Sequence, residues 1–375
     1  MDLRAAASAT GRERPPVPRA AIDVRTNAAL ATLVMLAAAV QLIGLPCALR
    51  IWGPAALIAV VPAMVPVILL TPMHWGLVHE GIHGQLTKRR GLNECLARTL
   101  SIALALPFDT VRFGHLMHHR FTREPYDRPD VHETGAPRWR TWLAYYVRLF
   151  GGLYVGELVV PLLAFLPRKL SRTVVLSAVG EEGPVGPEVQ RLFGNFAADP
   201  ARRYRMRRDW LLSLALYGAS FWLYGVWWPV LAATMYLRGL WLSLADNLPH
   251  YGVGLGEPGR ARNFRVPGGW PVLLMNHHLH QWHHRYPTLP WTALPAVARA
   301  SGHDASDAHA SGAVGENAVE VMTEDAVMKA GARNQSIHTD NADTPYFRAA
   351  LRQLRGPRGA RLQLGVGPDL ADAEP

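Results

Sequence analysis

Residues 54–83 read PAALIAVVPAMVPVILLTPM and then HWGLVHEGIH. An uncharged apolar run of about twenty residues, the length a helix needs to cross a bilayer core, leads into a histidine pair spaced HxxxH. Upstream lies a second such run, Ala28 to Leu49. The short linker between the runs, Arg50 to Gly53, carries one charge, whereas the preceding arm holds Arg4, Arg12, Arg14, Arg19 and Arg25. The positive-inside bias puts the arm in the cytoplasm and returns the second run to that side, so His79 and His83 are expected there. Pro62 and Pro66 are expected to kink this helix without ending it.

Downstream, Trp210 to Trp228 and Val230 to Ala245 form two more candidate spans, meeting at a tight Trp-Trp-Pro turn. Arg238, near the middle of the fourth, is expected either to be buried with a carbonyl or acid partner or to line a site. Trp142 to Leu166 is apolar but contains Arg148, Gly151, Gly152 and Glu157. A single crossing there would separate the later histidines from the earlier ones, so it reads as an amphipathic, interfacial or half-inserted segment. Cys95 to Phe108 is too short to span and reads as a segment dipping into the membrane surface. The expected fold is therefore an all-α membrane protein, with four transmembrane helices and a cytosolic-side helical cap. Residues 1–27 read as a disordered basic arm, 28–295 as the membrane domain and 296–375 as a mostly disordered tail. Within that tail, Tyr346 to Leu354 has the pattern of a short amphipathic helix lying on the membrane.

The formal net charge is +10. Its basic residues flank the apolar runs, at Lys88 to Arg90, Arg168 and Lys169, and Arg202 to Arg208, which fits membrane topology and argues against nucleic-acid binding. Cys47 and Cys95 make no CxxC pair, so no iron–sulfur or zinc-ribbon site is encoded, and no secretory signal is evident.

Nine of the sixteen histidines form a pattern just beyond the inner ends of the spans. His79 and His83 form HxxxH, and His115, His118 and His119 form HxxHH. His280, His283 and His284 repeat HxxHH, and His250 ends the sequence Asp246-Asn247-Leu248-Pro249-His250. On a helix, positions i, i+3 and i+4 share a face, so each box points its imidazoles one way. Neutral imidazole suits iron, zinc or copper, and three such faces converging could surround a pair of metal ions.

With these boxes, and with His280 to Pro287 reading HxxHHxYP, the stretch from about 28 to 295 resembles the integral-membrane fatty acid desaturase and hydroxylase superfamily. The resemblance implies a four-span bundle, a non-haem centre of two iron ions, and oxidation of unactivated C–H bonds with dioxygen as co-substrate. Carried over by position, it implies as ligands His79, His83, His115, His118, His119, His250, His280, His283 and His284. Some members carry an asparagine four residues before the histidine matching His250, where it holds a metal-bound water. Here that place is Asp246, with Asn247 next, and either is a candidate. Asn276 adds a polar group before the third box. His277 shares a helical face with His280 and His284 if that segment is helical, which makes it a candidate supporting or alternative ligand. Glu80, Asp109, Asp127 and Asp130 are candidates to orient ligand imidazoles by accepting their free N–H. His74 and His132 fit no box.

HEGIH is also the zinc-protease motif, with Glu80 as general base, so an intramembrane metalloprotease is the rival from another class. A non-catalytic metal- or lipid-binding membrane protein is a third reading. Within the resemblance, an acyl desaturase is the first expectation, and a fatty acyl or carotenoid hydroxylase or ketolase the alternative. With no haem segment, CxxC or GxGxxG in the chain, electrons are expected from a separate ferredoxin-like carrier and its reductase. The basic inner surface would steer such an acidic partner.

Overall fold

The structure is a computed structural model that describes residues 20–301, except positions 134, 256 and 258, and residues 344–359. The arm expected at 1–27 therefore lies mostly outside the described residues. The described chain is mostly helical, and its one sheet is a parallel pair of two-residue strands.

The first helical stretch comprises α1 (Val24–Ala39), α2 (Leu45–Trp52), α3 (Leu57–Leu69) and α4 (Thr71–His83). A π turn joins α1 to α2. The chain reverses at Gly53, whose φ of 59° and ψ of −145° favour glycine, and Pro54 starts the return. Pro62 and Pro66 stay inside α3. The helical path then runs on through α4, so HEGIH is the last turn of the helical stretch and not a loop after it.

Next come α5 (Arg90–Ala103) and α6 (Phe108–Phe121), then strand β1 (Val131–His132), α7 (Arg138–Val147) and α8 (Leu153–Val159). Helices α9 (Arg168–Val179) and α10 (Gly186–Ala198) pack on each other. The second long stretch is α11 (Pro200–Tyr224) and α12 (Trp228–Asn247), reversing at Gly225 with φ of 53°. The short helices α13 (Trp270–Leu273), α14 (His280–Arg285) and α15 (Leu294–Ala300) follow. Finally α16 (Tyr346–Arg352) leads to strand β2 (Arg358–Gly359), which pairs with β1.

Among the described residues three helical segments are long and apolar enough to cross a membrane: Val24–His83, Arg138–Phe165 and Pro200–His250. Large apolar side chains stand outward on them, such as Ile58 at 84% exposure and Val226 at 83%. A water-soluble surface would not carry so many, and this marks a membrane protein. The middle segment is bent, because Phe150 and Gly151 leave helical geometry and Gly151 has φ of 105°.

The two long stretches are tied at their reversals. Arg50 donates to the carbonyls of Leu223 and Trp222, each at 2.5 Å, and its guanidinium lies 4.7 Å from the Trp222 ring centre. Their opposite ends carry His83 and His250. Deep between them, Arg238 donates to Gln41, Thr71 and His74. His74 can accept at Nδ1 because its Nε2 faces the Leu100 carbonyl. Arg238 is thus buried among neutral acceptors, with no acid paired to it among the described residues, and His74 is its structural partner.

Close packing fixes the first box. A Cβ at Gly81 would come 2.3 Å from the Ala97 side chain, so α4 and α5 approach each other only because this position is bare. Part of the basic cluster turns inward. Arg203 is buried against the carbonyls of Leu163, Ala164, Leu166 and Ala197, and Arg205 is paired with Asp109. Lys88, Arg89, Arg90 and Arg207 remain exposed.

Residues 296–300 complete α15, and residues 344–359 pack against the membrane domain instead of trailing from it. Gln353 is fully buried, bonded to Asn247 and to the Leu244 carbonyl. Tyr145, Tyr146 and Tyr251 donate to the carbonyls of Gln353, Leu354 and Gly356. The helix expected near Tyr346 to Leu354 exists, but it is docked on the protein. The rest of the expected tail, 302–343 and 360–375, lies outside the described residues.

Candidate metal centre

Helix α4 presents His79 and His83 one turn apart, α6 presents His115, His118 and His119, and α14 presents His280, His283 and His284. His250 comes from the short turn that ends α12. The structure brings these nine side chains together in two adjoining groups. His79, His83, His115, His119 and His283 form one, and His118, His250, His280 and His284 the other. Each HxxHH box is divided between the groups. His119 and His284 meet across the divide, with ring centres 4.3 Å apart.

In the larger group the Nε2 atoms of His79, His283, His119, His115 and His83 follow one another at 2.9 Å per step. A neutral imidazole has at most one proton on Nε2, so ordinary hydrogen bonds can fill only two of these four contacts. Lone pairs converging on one point suit a cation. Burial, followed by the neighbouring imidazoles, pushes the pKa of His115, His280, His283 and His284 well below the ordinary value, and that of His119 to about 2. These rings are therefore neutral, the form in which imidazole binds metal.

The smaller group is oriented from outside. His118 donates from Nδ1 to Asp127 at 2.5 Å, leaving Nε2 aimed at the group. Burial opposes charge on His118, but the Asp127 carboxylate outweighs it and raises the pKa. Burial likewise opposes the charge on Asp127, yet His118 holds its pKa below the ordinary value. His250 donates from Nδ1 to the Arg260 carbonyl at 2.8 Å, and its buried Nε2 has no hydrogen-bond partner among the described residues. Such outer contacts are what set the tautomer of a metal-binding histidine. The donor set and its orientation therefore fit two transition-metal ions.

Of the other candidates, Glu80, His277 and Asp246 stay beside the histidine groups and the rest are engaged elsewhere. Glu80 accepts from the Trp291 backbone N–H at 3.1 Å and lies 3.7 Å from His79 Nδ1, on the side away from the cluster. His277 forms a third, smaller group with His79 and Glu80. Asp246 is paired with Arg148 at 3.0 Å, and Asn247 is bonded to Tyr145 and Gln353. Asn276 donates to the Trp291 carbonyl. Asp109 is taken up by Arg98 and Arg205, and Asp130 by Arg123. Among the four acids named as orienters, only Asp127 hydrogen-bonds a box histidine among the described residues. His132 is bonded to Thr141, away from both groups.

A cavity of about 190 Å³ borders the smaller group, walled by His115, His118 and Asp127 and by apolar side chains including Trp75, Leu106 and Leu242. Glu157 and Arg148 also line it, although neither belongs to any box. Both were visible in the sequence only as charges interrupting an apolar run, which carried no hint of where they would point.

No curated protein matches the chain. A family model described as Fatty acid desaturase matches residues 52–311, which takes in all nine clustered histidines and both long helical stretches apart from the N-terminal helices. A zinc protease would need Glu80 facing a metal-bound water, whereas here it is turned to a backbone amide. Since the match runs over well more than half of its length, the chain belongs to the fatty acid desaturase family.

Proposed function

We propose that this protein is a dioxygen-dependent membrane oxygenase holding two iron ions, and that it introduces a double bond into a lipid acyl chain. The carrying observation is the pair of adjoining imidazole groups, five and four, beside a cavity walled by both polar and apolar side chains. The nine histidines would hold the metal, with Asp127 and the Arg260 carbonyl fixing His118 and His250. Bound iron would supply the oxidising chemistry that removes hydrogen from an unactivated C–H bond. The chain's part is to hold neutral imidazoles in place, to exclude water with the apolar wall, and to lay the substrate against His115 and His118. Hydroxylation or ketolation would use the same constellation and differ in the placement of the substrate carbon.

In this reading the two long stretches are hairpins of two spans each, giving four spans, and α7 with α8 lies at the interface. The termini and the histidine groups face the cytoplasm. Electrons come from a separate ferredoxin-like carrier and its reductase, for which Lys88 to Arg90 offers an exposed basic landing site.

The test is metal analysis with lipid profiling. The purified chain should carry two irons and alter acyl lipids only with dioxygen and a reductant. His118→Ala and His283→Ala should insert into the membrane, lose iron and give no product. One zinc per chain, or turnover without dioxygen and an electron donor, would overturn the proposal.

A further inference from the structure

The cavity beside His118 is not uniformly apolar. Glu157 Oε2 and Arg148 Nε are both buried and have no hydrogen-bond partner among the described residues, and both residues line it. One is an acceptor and the other a donor. Natural structures rarely leave such atoms unpaired without a reason. Arg148 is held in place by its other nitrogen, which bonds Asp246 at 3.0 Å. Glu157 is set against the second box, since a Cβ at Gly114 would lie 3.8 Å from its Oε1.

Glu157 also faces a second cavity. It shares Gly114, Tyr126 and Glu157 with the first, has about 240 Å³, and is walled by apolar side chains of α9, α10 and α6 such as Val175, Phe193 and Phe113. Glu157 therefore stands in the wall common to the chamber beside the histidines and the apolar one, with Arg148 on the histidine side. Burial, and then the carboxylates of Asp127 and Glu157, push the Tyr126 phenol up, so it remains a hydrogen-bond donor at this junction.

A plain alkyl chain has nothing to offer these atoms. We propose that the site takes a lipid bearing a hydroxyl or amide, a group that both donates and accepts, which Glu157 and Arg148 bind beside His118. The alkyl chain continues under α9 and α10. Glu157 and Arg148 are then specificity-determining residues, and the inference rests on the lipid-oxidising reading above while narrowing its substrate class.

Binding tests this without iron or dioxygen. The full chain in detergent is loaded with a fluorescent lipid, which is then displaced by hexadecanol, N-hexadecylacetamide, methyl hexadecyl ether or hexadecane. The alcohol and the amide should bind about 10-fold more tightly than the ether and the alkane, because a site with buried polar groups rejects an analogue that leaves them unpaired. Glu157→Leu should bring the four probes to within about 2-fold of one another, and Glu157→Gln, which keeps an acceptor, should retain the preference. Equal binding of all four by the wild type would overturn the proposal, as would a preference that survives Glu157→Leu. If Glu157→Leu does not fold, the wild-type ranking still decides. Retained preference with no oxygen-dependent turnover of any lipid would fault the oxygenase reading alone. Lipid turnover with no preference would fault this one alone.

Discussion

Asp127 shows how a residue outside every box acquires a role. It sits in a short turn after α6, and the 2.5 Å contact to His118 fixes which ring nitrogen faces the smaller group. Asp127→Asn keeps the shape but weakens the acceptor and permits the wrong tautomer. It should lower metal affinity or activity by about 10- to 100-fold, the scale seen when outer contacts to a metal ligand are lost. Iron content at graded chelator concentrations would measure it, and wild-type retention would deny Asp127 its orienting role. Sequence ranked Asp109, Asp127 and Asp130 alike, since each is an acid near a box. Only folding showed that arginines claim the other two.

At the scale of elements, the segment 344–359 is the part of the expected tail that docks on the membrane domain. Its carbonyls receive three tyrosine hydroxyls, Gln353 reaches Asn247, and the Arg358 N–H donates to the Asp130 carbonyl. Asn247 lies three residues before His250, so the segment braces the turn that carries this histidine. Truncation after residue 359 should leave iron content near wild type, whereas truncation after residue 343 should lower it together with thermal stability. Equal iron and melting temperature for the two truncations would show that the brace does not matter. The amphipathic pattern of Tyr346 to Leu354 pointed to a helix on the membrane, whereas its docking rests on contacts more than a hundred residues away in sequence.

For the whole molecule, Arg50 ties the reversals of both long stretches at one end, while His83 and His250 stand at the other. If each stretch is a two-span hairpin, everything at the histidine end faces one side. Single cysteines placed at the exposed residues 90 and 288, in a chain lacking Cys47 and Cys95, should both react with a membrane-impermeant reagent from the cytoplasmic side only. Labelling of the two from opposite sides would refute the four-span arrangement.

The sequence by itself determined the helical class, the apolar stretches and the nine histidines, because these are written in local patterns. An uncharged run of about twenty residues and an i, i+3, i+4 spacing can each be read without knowing what lies opposite. Only the tertiary structure decided that His115 and His119 join one group while His118 joins the other. It also decided that His280 and His284 part from His283, and that Glu157 and Arg148 turn into the cavity. Those outcomes depend on which helix faces which, and on close approaches such as Gly81 against Ala97, and a one-dimensional pattern does not contain that information.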